Sequence, residues 1–232
     1  MTRPGAGAGA GPTEPSHRRC DVGGPERGYA EPVSAEPIPT SPGPWCPDPI
    51  RQQRADYTLA DLRNLPDDAP RVELVDGVIR VTPSPTLGHQ DIASLLWRWL
   101  AEHAPRHLRA SQAVGVALSA NTSRQPDVLL RHAEVDRDRS LLHPADVVLA
   151  VEIVSPGTRW TDRFAKPGEY AAVGIAHYWR IEQNPVHVYA YRLGEQPGPA
   201  GVPQYELVTD SADVIELTEP FVLKLPVADI TP

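Results

Sequence analysis

Asp127, Glu152 and Lys166 are the residues whose types and spacing suit chemistry on a charged substrate. Glu152 lies near the end of residues 146–154, an apolar, β-branched run of the kind that forms a central strand covered on both faces. An ionised carboxylate there costs several kcal/mol unless it is paired, hydrogen-bonded or bound to a metal. A plain alternative is a glutamate that swings into solvent where the strand ends, at Ser155, Pro156 and Gly157. Asp127 follows Pro126 at the head of another apolar stretch. If the two stretches form an antiparallel hairpin with Asp127 opposite Glu152, Arg131 falls opposite Val148 and the polar run 132–147 becomes the connection. Both carboxylates then share one face at one end of the hairpin. Two acids so close repel and raise each other's pKa. A hard cation between them, Mg²⁺ or alternatively Mn²⁺, removes the conflict, because such ions prefer oxygen ligands.

Lysine is scarce. Of the 22 basic residues only Lys166 and Lys224 are lysine, and all the others are arginine. Arginine stays protonated, whereas lysine carries a compact charge and shifts its pKa with its surroundings. A lysine soon after Glu152 therefore stands out. Asp162 and Lys166 are four residues apart and share a helical face; on spacing alone they read as an ordinary solvated ion pair.

The elements that must position these groups follow from periodicity and turn chemistry. Residues 1–54 are rich in Pro, Gly and Ala without apolar periodicity and read as a disordered leader. A single domain is expected over 55–232. Thr58 caps a short helix at 59–65. Asp76-Gly77 between apolar segments predicts a hairpin over 71–81. Ile92, Leu95, Leu96, Trp99 and Leu100 give the stretch 87–103 an apolar helical face. Strands are predicted at 113–118 and 125–131, with a turn at Asn121-Thr122-Ser123 between them. A helix over 161–172, interrupted at Pro167, leads to a second hairpin around Asn184-Pro185. Shorter strands follow near 204–209, 213–217 and 221–225. This mixture predicts an α/β fold with one mixed β-sheet, antiparallel hairpins and flanking helices.

A net charge of −8 and a pI of about 5.5 exclude a protein held to nucleic acid by a broad basic surface, though not one with a local basic groove. The two cysteines, Cys20 and Cys46, both lie in the leader, so no disulfide framework supports the domain and a reducing cytoplasm is the expected home. Neither a membrane span nor a signal peptide is evident.

The order of short motifs resembles the Uma-two putative restriction endonuclease family of the PD-(D/E)XK nuclease superfamily. The residues that carry it are Asp56-Tyr57-Thr58 to Leu65, Val72 to Gly77, His89, Pro126-Asp127, Val151 to Pro156, Asp162, Lys166, Tyr170, Gly174-Ile175 and Tyr178-Trp179. The resemblance covers about 56–225. It implies a restriction-endonuclease-like core with Asp127 and Glu152 as the paired acids. The superfamily's usual lysine lies two residues after the second acid, where this chain has Val154; the family pattern supplies it from the next helix, as Lys166. Glu73 matches a further family acid and completes the implied metal shell of Asp127, Glu152 and Glu73. The implied reaction is Mg²⁺-assisted hydrolysis of DNA, giving 5′-phosphate and 3′-hydroxyl ends, and a homodimer is implied in the same way.

Other residues fit less. Read without the resemblance, Glu73 is a cross-strand ion-pair partner for Arg71 or Arg80. His89 starts the long helix, as a structural residue or a phosphate contact. Tyr170, Tyr178 and Trp179 read as packing. Pro105 separates His103 from His107, which disfavours zinc, and Ser155 lacks the glycines of a serine nucleophile elbow. Two alternatives to a DNA endonuclease stand: a catalytically silent nucleic-acid-binding or assembly module of the same fold, and a metal-dependent hydrolase of another phosphodiester.

Overall fold

The computed structural model describes residues 55–66, 68–198 and 201–232, so the leader expected over 1–54 lies outside the described residues. In chain order, helix α1 is Leu59–Arg63, followed by strands β1 (Val72–Val75) and β2 (Val78–Val81). Helix α2 (Leu87–His103) leads to β3 (Leu108–Gln112), β4 (Gly115–Ser119), β5 (Thr122–Arg124) and β6 (Val128–His132). Then come β7 (Leu141–Leu142) and β8 (Val147–Ile153), a π-helical turn (Thr161–Ala165) and α3 (Lys166–Ala172). The chain continues through β9 (His177–Gln183), β10 (Val186–Leu193), β11 (Tyr205–Ser211), β12 (Val214–Leu217) and β13 (Leu223–Pro226).

The large sheet has six strands in the order β11-β10-β9-β8-β6-β3. All neighbours are antiparallel except β8 and β9, which are parallel and joined by the π turn and α3. A second sheet, β2-β1-β5-β4-β7, and the β12-β13 ribbon complete the fold. It is the expected mixed α/β architecture, with one difference: the strands divide among three sheets.

Strand β8 shows why the apolar run sits at the centre. Leu149, Val151 and Ile153 pack on one face with Ile92, Leu96, Trp99 and Leu100 of α2. Ala150 joins Leu129, Tyr170, Ile175 and Tyr178 on the other. Covering both faces removes each of these side chains from water, worth about 1.5–3 kcal/mol for each large one. By the same alternation Glu152 points to the α3 side. Val128 pairs with Val151, and Leu129 with Ala150, so the β6–β8 register is the expected one up to Leu130–Leu149. There a bulge intervenes, and Arg131 faces Val147 rather than Val148.

Three local expectations change. Helix α1 ends at Arg63, because the Asn64 amide already bonds back to the Asp61 carbonyl and the chain turns. Thr122 and Ser123, expected in a turn, belong to β5, where Thr122, Ser123 and Arg124 are all buried between β1 and β4. Strand β3 was not expected: its sequence, Leu-Arg-Ala-Ser-Gln, buries only Leu108 and has no apolar alternation. The Asp76-Gly77 turn forms as expected, with φ values of 50° and 78°.

Candidate active-site cleft

Each chemical group is delivered by a different element. Asp127 immediately precedes β6, its amide donating to the Val151 carbonyl (3.1 Å). Glu152 is the penultimate residue of β8. Lys166 opens α3. Glu73 comes from β1 and Arg124 from β5, so the second sheet contributes a wall. His89 arrives from the first turn of α2, whose N-cap Thr86 accepts from the His89 amide at 3.4 Å. These residues line one cleft of about 400 Å³, together with Arg71, Thr158, Thr161 and Asp162. A larger cavity, about 820 Å³, is bounded by β9, β10 and the β12-β13 ribbon; neither the two paired acids nor Lys166 lines it.

The π turn decides how Lys166 reaches Glu152. The Lys166 amide bonds to the Thr161 carbonyl, five residues back. Pro167, next in line, has no N–H to give to the helix ladder. Both Asp162 and Lys166 are thereby turned inward; they are 1% and 6% exposed, so the solvated pair expected from spacing is in fact a buried one. Lys166 Nζ stands 2.8 Å from Glu152 Oε2, 3.0 Å from Asp162 Oδ1 and 3.8 Å from Glu73 Oε1. The Tyr170 hydroxyl donates to Glu152 Oε1 at 2.7 Å. Tyr170, expected as packing alone, is therefore also part of the site. Its signal was present in the sequence: Asp162, Lys166 and Tyr170 recur every four residues.

Asp127 Oδ2 accepts from the Ile153 amide (2.9 Å) and meets His89 Nε2 (3.1 Å). Its Oδ1 lies 3.7 Å from Arg71, an ion-pair distance rather than a hydrogen bond. Glu73 does not pair with Arg80 across the hairpin, although the two are register partners. Its Oε2 takes Arg124 (2.9 Å) and its Oε1 the Gln125 amide (3.1 Å). Arg124 is itself gripped by Glu169 through two bonds of 2.6 and 2.7 Å. Nothing in the local sequence marks that pairing across 45 positions.

Burial pushes the Glu152 carboxyl up to about 8, against the pull of Lys166 and with help from Asp127, Asp162 and Glu73. Asp162 moves up for the same first reason, burial. Burial also opposes charge on Lys166, but Glu152, Glu73 and Asp162 together hold its ammonium well above the ordinary lysine value. Asp127 goes the other way: burial would raise it, yet His89, the Ile153 amide and Lys166 keep it below the ordinary aspartate value. The cleft therefore contains one acid held as carboxylate, one that readily takes a proton, and a fixed ammonium.

Among the described residues no three His, Cys, Asp or Glu side chains are grouped so as to hold a metal ion. The donor set nevertheless suits a hard cation, since the two central acids supply carboxylate oxygens to the same cleft and Mg²⁺ commonly takes one or two carboxylates and keeps its waters.

A mixed sheet with β8 and β9 parallel at its centre, crossed by α3 and backed by α2, is a restriction-endonuclease-like fold. The chain belongs to the Uma2 family, described as putative restriction endonucleases, whose profile matches residues 59–228. A solved structure of a putative nuclease belonging to DUF820 from Anabaena variabilis shares the fold, with a TM-score of 0.57 and 21% identity. The match covers 75% of this chain and 97% of that one. Among curated proteins none matches.

Proposed function

We propose that this chain is a Mg²⁺-dependent endonuclease that hydrolyses phosphodiester bonds in DNA. The observation that carries the reading is the convergence of Asp127, Glu152 and Lys166 on one cleft from three separate stretches of sequence, with the ammonium 2.8 Å from Glu152. Asp127 and Glu152 are the residues that would hold the ion, with Mn²⁺ as the alternative. When bound, it supplies Lewis-acid polarisation of a phosphate oxygen and acidifies a water. Glu73, expected as a third ligand, is engaged by Arg124 and Gln125; its part in this reading is to balance Arg124 and Lys166.

The chain's own residues then divide the work. His89 and the Ile153 amide fix Asp127 by Oδ2 and leave Oδ1 for the cleft. Tyr170 and Lys166 orient Glu152 from either oxygen. Lys166 is held protonated by its acidic neighbours, so it serves as a fixed positive charge for the phosphate oxygens as negative charge grows on them, not as a base.

Purified protein should nick supercoiled plasmid DNA when Mg²⁺ or Mn²⁺ is added, and Asp127→Ala and Glu152→Ala should each abolish nicking. Equal activity in those variants sinks the site. One observation favours the silent-module reading: both Glu152 oxygens are already taken by Lys166 and Tyr170. Wild-type protein that binds DNA and never nicks it, with either metal, would establish that reading instead.

A further inference from the structure

We propose that Trp160 and Phe164 form a stacking platform for unpaired bases of the strand whose backbone enters the Asp127–Glu152 cleft; this rests on the nuclease reading of that cleft. The two rings are 70% and 67% exposed, unusual for such large apolar groups. Their centroids are 6.3 Å apart and their planes tilted by 43°, so neither ring covers the other's face. They interleave along the chain with cleft residues: Thr161, Asp162 and Lys166 line the cleft, while the two aromatics sit on the solvent side of the same π turn and the residue before it.

Charge at this lip favours a polyanion. Asp162, the sole acid between residues 157 and 168, is turned inward onto Lys166. The exposed charges left there are Arg159 and Arg163. Arg163 is engaged by Glu182, and Arg159 has no partner among the described residues. On a chain of net charge −8, Arg159 beside two exposed rings gives this lip a local cationic and aromatic character. Residues 83–86, another part of the cleft wall, are followed directly by Leu87, which is 79% exposed.

Aromatic faces select for the face of a base, and a base in a duplex shows only its edges. Stacking on protein rings is therefore a recognition mode for single strands or locally opened ones, tolerant of sequence because every base has such a face. The geometry accordingly points to single-stranded or unpaired DNA as the preferred substrate, ahead of intact duplex.

The test is fluorescence anisotropy of a labelled oligodeoxynucleotide of about 20 nucleotides, alone and as its duplex, in the presence of chelator so that nothing is cleaved. The double variant Trp160→Ala/Phe164→Ala should lose about tenfold or more in affinity for the single strand and little for the duplex. Trp160→Tyr should retain binding, while Trp160→Leu, apolar but not aromatic, should lose it. Unchanged single-strand affinity in the double variant overturns the platform, as does an equal loss on both substrates. So does a wild-type dimer, seen by sedimentation, that the double variant fails to form while binding DNA normally; the rings would then belong to a subunit interface. Cleavage by Asp127→Ala would strike the nuclease reading and leave the platform standing, because the platform is read from binding alone.

Discussion

At the residue scale the decisive fact is an acid and an ammonium buried together, 2.8 Å apart. Burial raises the Glu152 carboxyl to about 8 in the folded chain, above its ordinary value of 4.5. Between those values the folded state binds more protons than the unfolded one, so this group makes stability fall as pH rises. In Glu152→Gln that decline should be missing, a difference on the order of a few kcal/mol across the window, read from urea unfolding at several pH values. Lys166→Met removes the cation from among Glu152, Asp162 and Glu73. It should destabilise the protein by about 3–5 kcal/mol near neutral pH and by less in acid, where the acids take up protons. It should also abolish metal-dependent nicking. Thermal melts followed across pH, beside the plasmid assay, check both. Of these groups, the two paired acids and Lys166 were legible as types and spacing. The inward turn of Asp162 was not, because an i,i+4 pair looks the same in sequence whether it faces water or a core.

At the element scale the second sheet matters as much as the first. Strand β5 contributes Arg124, 4% exposed and held between Glu73 and Glu169. Arg124→Ala leaves Glu73 facing Lys166 without its main counter-ion and should cost about 2–4 kcal/mol by chemical denaturation. Discounting for the partly exposed Glu169 keeps the figure below that of a fully buried pair. Gly77, at φ 78°, has no room for a side chain, since a Cβ would run into the Ala55 carbonyl. Gly77→Ala should therefore lower stability by about 1–3 kcal/mol, seen as a lower melting temperature. The hairpins and long helix were legible because turn residues and apolar periodicity are local signals. Strands β3 and β5 were not. Their polar residues are buried by neighbours distant in sequence, and local pattern carries no trace of that.

At the scale of the whole molecule, the acids from the β6–β8 pair and the lysine from the crossover meet only because β8 and β9 run parallel. That requires a connection long enough to return along the sheet. Among the described residues no helix is long and apolar enough to cross a membrane. The single mixed sheet anticipated from sequence is in fact a six-stranded sheet, a five-stranded one and a ribbon, since partitioning strands among sheets depends on contacts that periodicity does not encode. The π turn sets the register of every helical residue after it. Residues 161–165 hold one more residue per turn than an ordinary helix would. If the same residues wound as an ordinary helix, everything downstream would rotate by about 100°, carrying Lys166 and Tyr170 away from Glu152 together. The winding of that turn, and not the identity of any residue in it, thus decides whether the ammonium meets the acids, and an inventory of residue types would not register a change in it.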